Sequence, residues 1–145
     1  MRYSFYANRR YRFNISFKTP AMLQYNKTFS SFSVNDIQKA KDFYSKIIGL
    51  EVADKEEAIE MTAGDNRVVL YPKPDHVAAT FTVLNFSVDD IEKAVDSPTA
   101  QGVQFEQYGG DIKTDAKGIC RSDRGAIAWF KDPAGNILSV MEGME

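Results

Sequence analysis

The 145 residues suffice for one domain with a real core and are too few for two independent ones. At 43% hydrophobic and 26% charged residues, the composition is that of a globular chain and excludes disorder throughout. The net charge of −2 hides an asymmetry: residues 1–27 carry six basic side chains and no acid, leaving 12 basic against 20 acidic, a net of −8, for the rest. A body that acidic is repelled by phosphate backbones, which argues against nucleic acid as a partner. No apolar run approaches the ~20 residues of a membrane-spanning helix, so no membrane partner is expected. The single cysteine, Cys120, rules out an internal disulfide and suits the reducing cytoplasm. The basic amino terminus lacks the apolar stretch of a signal peptide. The expected location is therefore cytoplasmic.

In chain order, RYRFNISFK (10–18) comes first. It alternates Tyr11, Phe13, Ile15 and Phe17 with Arg10, Arg12, Asn14, Ser16 and Lys18, the period of a strand. Residues 1–27 are expected to form a basic, aromatic extension. It is either an added edge strand or arm, or a loosely held stretch upstream of initiation at Met22. Residues 28–145 are expected to form one domain of two modules, 28–74 and 80–145.

Within that domain a nine-residue phrase is written twice, FSVNDIQKA at 32–40 and FSVDDIEKA at 86–94. In the first copy 27–34 reads as a strand. Asn35 or Asp36 then caps a helix, whose stripe is Ile37, Ala40, Phe43 and Ile47. Gly49 ends it, since glycine tolerates the left-handed cap. Strands follow at 50–54, 57–62 and 67–71, giving β-α-β-β-β.

The second copy repeats the order. Residues 81–88 supply the strand, Asp89 or Asp90 the cap, and Ile91, Ala94 and Val95 the stripe. Pro98 should break or kink this helix after about two turns, because it lacks an N–H and its ring clashes with the preceding turn. GVQFEQ (102–107), AIAWF (126–130) and NILSVM (136–141) are the expected strands, with DPAG (132–135) turning into the last. The charged, glycine-punctuated stretch 107–125 reads as a long loop. Loops of that kind often cover binding sites, and Tyr108 is the residue expected to close over a cleft, with Trp129 as an aromatic wall.

The phrases FSVNDIQKAKDFYSKIIGLEV and WFKDPAGNILSVME resemble the vicinal-oxygen-chelate superfamily, which includes glyoxalase I, bleomycin-resistance proteins and extradiol dioxygenases. The likeness runs from about Thr28 to the carboxyl terminus. It implies an α+β fold in which two βαβββ modules, in pseudo-two-fold arrangement, form an open, curved sheet around a cleft. It also implies a divalent metal held by the first and last strands of each module. Carried over residue by residue, the family's ligand positions fall on Phe29, Val83, Ser139 and the stretch 69–71. Phenyl and isopropyl groups do not coordinate metals, and zinc or iron needs several imidazole, carboxylate or thiolate donors. No metal and no cofactor is expected. His76, the only histidine, sits in the proline-flanked YPKPDH and reads as a solvated linker residue. Cys120, near Arg121 and Arg124, reads as a loop thiol without a partner base.

Strand alternation shows what the cleft should present instead. If Phe32, Val34, Val68, Leu70, Leu84, Phe86, Leu138 and Val140 face the helices, then Phe29, Ser31, Ser33, Arg67, Tyr71, Val83, Asn85 and Ser139 face away. Hydroxyls and amides there fit neither a sealed core, where they would need partners, nor a face washed by bulk water. With Tyr108 and Trp129 they form the candidate ligand-binding set, for a small organic molecule of aromatic or anionic character. The expected function is metal-independent small-molecule binding. The alternatives are a lyase, isomerase or dioxygenase of the same family and a protein-interaction module with a vestigial cleft. A homodimer is expected, because exposed edge strands need covering.

Overall fold

The computed structural model describes residues 22–144, so the alternating stretch 10–18 lies outside the described residues. Each module folds in the order β-α-β-β-β. The first contains β1 (Ser30–Val34), α1 (Ile37–Asp42), β2 (Glu51–Asp54), β3 (Ile59–Ala63) and β4 (Asn66–Pro72). The second contains β5 (Thr82–Ser87), α2 (Ile91–Ala100), β6 (Ile119–Ser122), β7 (Gly125–Lys131) and β8 (Ile137–Glu142). The result is two four-stranded mixed sheets, ordered β1-β4-β3-β2 and β5-β8-β7-β6, neither closed on itself. In each, the first strand pairs parallel with the last, setting Ser33 opposite Tyr71 and Asn85 opposite Ser139.

The repeated phrase builds the same corner in both modules. Asp36 accepts a hydrogen bond from the Lys39 amide (3.0 Å) and Asp90 from the Lys93 amide (3.1 Å), each satisfying a donor that a helix start leaves free. Val34, Ala40, Leu70, Ile91, Val95, Phe130, Leu138 and Val140 are buried in one continuous core shared by both modules. Fully burying one such aliphatic or aromatic side chain contributes roughly 1.5–3 kcal/mol.

The structure departs from the sequence-based expectations in four places. The first helix is α-helical only to Asp42. Phe43–Ile47 then form a π turn, closed by the Ile48 amide bonding the Phe43 carbonyl at 3.0 Å. That wider turn turns both Phe43 and Tyr44 inward, and their rings meet edge-on at 5.1 Å. Second, Pro98 does not end its helix. It stands eighth of ten residues, so only the bond to the Ala94 carbonyl is forfeited, and the Thr99 hydroxyl caps the Val95 carbonyl at 2.7 Å. Third, GVQFEQ is not a strand. Only Phe105 forms a bridge, to Phe130, and the Glu106 amide bonds the Trp129 carbonyl at 2.8 Å. Fourth, the edge of β7 is instead taken by β6, which lies within the stretch read as one long loop. β6 ends its pairing at Ala128, and Phe105 occupies the edge beyond it.

The Asp-Pro-x-Gly-Asn turn joins the two modules. Asp132, 4% exposed, accepts from the amides of Ala134 and Asn136 at 2.9 Å each. Its other oxygen accepts from the Tyr44 hydroxyl at 2.8 Å and the Asn136 side chain at 3.1 Å. Asn136 also donates to the Ser33 carbonyl at 2.9 Å. A buried carboxylate is tolerable only when its oxygens are satisfied, and here both modules supply the donors. The desolvated phenol beside that carboxylate is held in its neutral form, its pKa pushed well above the usual tyrosine value by burial first and Asp132 second.

Candidate functional site

The ten residues selected from the sequence do not gather in one place; they fall into three groups. Ser31, Ser33, Tyr71 and Val83 line one hollow of about 360 Å³ between the β1–β4 edge and the connector joining the modules. Asn85, Ser139, Trp129 and Tyr108 form a second group on the other sheet. Ser139, fully buried, donates to Asn85 at 2.5 Å, Trp129 lies opposite Ser139 in the ladder, and Tyr108 meets the Trp129 ring edge-on at 5.4 Å. Phe29 and Arg67 lie together at a third, separate depression beside Lys27 and Asp65.

Each group has a local cause. Alternation along β1 and β4 sends Val34, Val68 and Leu70 into the core, which leaves Ser31, Ser33 and Tyr71 on the opposite face. Val83 reaches the hollow through an irregularity, since the pairing register slips between Thr82 and Leu84 and Val83 also packs against the core. Arg67 is taken by Glu60 in an exposed ion pair. That contact raises the arginine pKa and lowers the carboxylate's, chiefly through their hydrogen bond. Tyr108 is pinned by Thr114, whose hydroxyl accepts the Tyr108 amide at 2.9 Å and whose own amide bonds the Tyr108 carbonyl at 3.1 Å.

The hollow's remaining wall comes from residues outside the candidate set: Ser30 and Phe32 of β1, Val77, Ala79 and Phe81 of the connector, Thr82 of β5, and Asn136; Phe32, expected to face the helix, also packs against the core. No charged side chain lines it. Val77, Phe81 and Tyr71 are exposed by 84%, 68% and 41% and give the hollow an apolar rim. The signal available in the sequence was Val77 in the connector, a bulky group that a purely solvated linker does not need; Phe81 was read as the start of the strand 81–88, which begins one residue later, at Thr82.

The histidine reading is corrected as well. His76 is half-buried and bonded through both nitrogens, Nδ1 to the Ser33 hydroxyl at 2.7 Å and Nε2 to the Ala134 carbonyl at 3.0 Å. Cys120 lies half-buried on β6 opposite Ile127.

A divalent metal does not fit the family's ligand positions in this chain. Phe29, Val83 and Ser139 offer a phenyl, an isopropyl and one hydroxyl, and these lie in different groups. Among the described residues no cluster of three or more His, Cys, Asp or Glu is placed to hold a metal ion.

The fold and the repeated βαβββ order define the class. The chain belongs to the glyoxalase/bleomycin resistance protein/dioxygenase superfamily, whose family model matches residues 27–140. Among solved structures, the glyoxalase family protein from Enterococcus faecalis is similar at 19% identity and TM-score 0.62, covering 81% of this chain and 97% of that one. TnmS3, an antibiotic binding protein from Streptomyces sp. CB03234, is similar at 21% identity and TM-score 0.60, covering 83% and 98%. FosX, a genomically encoded fosfomycin resistance protein from Listeria monocytogenes, shares 13% identity at TM-score 0.63, covering 83% and 95%. At these identities the likeness is one of fold. No curated protein matches the chain. Among the described residues no helix is long and apolar enough to cross a membrane.

Proposed function

We propose that this chain is a metal-independent, cytoplasmic binding protein for a small, uncharged organic molecule with an aromatic or branched apolar part, held in the hollow beside β1 and β4. The observation that carries the reading is the lining. Ser31, Ser33, Thr82 and Asn136 offer hydroxyl and amide partners, the connector offers apolar walls, and no lining residue is charged. Ligand sites are typically mostly apolar with a few fixed polar groups, and a buried ion would find no counter-charge here. With Arg67 engaged by Glu60 and outside the hollow, an anionic ligand has no cation to meet. The family membership supports small-molecule binding, and two structural neighbours are described as an antibiotic binding and a fosfomycin resistance protein. We also propose a homodimer, since β1, β2, β5 and β6 are sheet edges that isolated proteins usually cover; light scattering should give twice the chain mass.

The test is a thermal-shift screen of uncharged aromatic metabolites against charged ones, followed by calorimetric titration of the best compound. A ligand at 100 times its Kd stabilises by about 2.7 kcal/mol. Ser31→Trp, which fills the hollow from an exposed position, should abolish the shift while the free protein melts unchanged. Equal affinity in that variant removes the hollow from the reading. Elemental analysis after dialysis should show no stoichiometric metal, and a retained equivalent would overturn metal independence.

A further inference from the structure

We propose that the hollow is also a reaction site, in which Ser33, activated by His76, accepts the acyl group of small uncharged esters and passes it to water. This rests on the binding reading above and adds chemistry to it.

The hydrogen-bond partners of His76 fix where its proton lies. The Ala134 carbonyl can only accept, so the 3.0 Å contact places a hydrogen on His76 Nε2. A neutral imidazole protonated there carries its lone pair on Nδ1. The Ser33 hydroxyl, 2.7 Å away, is therefore the donor and Nδ1 the acceptor. That is the polarity a nucleophile and its general base require, with a third group orienting the base. The orienting group is a backbone carbonyl in the turn that the buried Asp132 fixes through the Ala134 and Asn136 amides, and Asn136 holds the Ser33 carbonyl at 2.9 Å. Both members of the pair are thus anchored to one rigid turn.

Access distinguishes this pair from a brace for the connector. Ser33 lines the hollow, whereas His76 is not part of its lining, so an electrophile meets the hydroxyl with the base on its far side. Tyr71 stands opposite Ser33 in the β1–β4 ladder and lines the same hollow. Its phenol is a donor for an oxyanion forming beside Ser33. Val77 and Phe81 provide an apolar wall for the acyl chain, and the uncharged lining selects a neutral ester.

The step balances without a co-reactant. Ser33 Oγ bonds the ester carbonyl carbon as its proton passes to His76 Nδ1, and the carbonyl oxygen takes up the negative charge. Collapse expels the alcohol as its anion, which takes a proton from water in the hollow. The hydroxide so formed adds to the acyl-serine, and as the acid departs Ser33 Oγ takes its proton back from Nδ1, the atom it faces at 2.7 Å.

The probe is p-nitrophenyl butyrate, with p-nitrophenol release followed by absorbance and the adduct located by peptide mass spectrometry. The expected result is a burst of p-nitrophenol with the butyryl group on Ser33. Ser33→Ala should remove the burst, and His76→Asn should slow acylation about 100-fold, the low end of what a positioned base contributes. Should Ser33→Ala fold poorly, Ser33→Cys in a Cys120→Ser background keeps a nucleophile in place, and its labelling by iodoacetamide should depend on His76. A chain that binds an uncharged aromatic ligand yet carries no acyl group on Ser33 overturns this inference and leaves the binding reading intact. Butyrate release unaffected by Ser33→Ala likewise overturns it, and absence of both binding and adduct overturns the two together.

Discussion

The phenol of Tyr44 is wholly buried 2.8 Å from the Asp132 carboxylate, and two consequences follow. Removing the hydroxyl in Tyr44→Phe strips a buried charged acceptor of one donor, at a cost of roughly 1.5–3 kcal/mol. The pH dependence follows from the raised pKa of the phenol. Below about pH 10, the ordinary tyrosine value, both folded and unfolded chains hold this proton and the stabilisation is complete. Above it the unfolded chain loses the proton and the folded chain keeps it, so stability falls as pH rises, by up to about 1.4 kcal/mol per unit. Urea midpoints between pH 7 and pH 10.5 should therefore show the wild type losing its advantage over Tyr44→Phe at the alkaline end. Parallel curves would mean that Tyr44 ionises as freely in the fold as out of it. At this scale the sequence was half legible. Alternation along β1 and β4 correctly assigned Ser31, Ser33 and Tyr71 to the face away from the core. It could not reveal that His76 bonds Ser33, because that contact spans 43 positions of chain and depends on where the second module's turn comes to rest.

Among the elements, the β6–β7 hairpin shows why a glycine is needed where a strand begins. Gly125 has φ near +141°, and a Cβ built on it would stand 2.1 Å from the Glu142 carbonyl oxygen on β8. Gly125→Ala must therefore push a backbone group of the central ladder aside, which should cost more than ~2 kcal/mol and lower the thermal midpoint accordingly. The contrasting case is Pro98, where the helix already tolerates its worst residue. Pro98→Ala restores a donor for the Ala94 carbonyl, and an interior proline costs about 3 kcal/mol relative to alanine. The position lies in the last turn, and a proline also restricts the unfolded chain, so a gain of about 1 kcal/mol in denaturant unfolding is expected. A loss would show that the ring packs in a way the helix needs. The helix starts were legible because an Asp cap followed by an apolar stripe is local information. The second module's strands were less so. GVQFEQ and ICRS compete for one edge of β7, and which wins is decided by the register with Ala128 and Phe130, a matter of tertiary pairing that propensity does not encode.

For the molecule as a whole, the two modules share one buried core, and the turn at Asp132 adds polar bonds between them. Phe43 of the first module packs on Phe130 of the second at 6.4 Å between ring centroids, and the buried core runs through both without a break. Four donors converge on Asp132, one of them from α1's continuation and three from its own turn. Asp132→Ala would leave the Tyr44 hydroxyl and the Asn136 side chain without their acceptor and loosen the hold on the Ser33 carbonyl. Stability should fall by about 3–5 kcal/mol, the range for stripping one partner from a buried polar network. Because the apolar core remains shared, unfolding should still proceed in a single step, with calorimetric and van't Hoff enthalpies equal. Two separated transitions would show that the modules stand independently and that the carboxylate, rather than the core, joins them. The same variant also tests the hollow. A turn that no longer fixes the Ala134 carbonyl no longer orients His76 beside Ser33, so the large loss of stability should come with a loss of the proposed reactivity of Ser33, measured at a temperature where the variant is still folded.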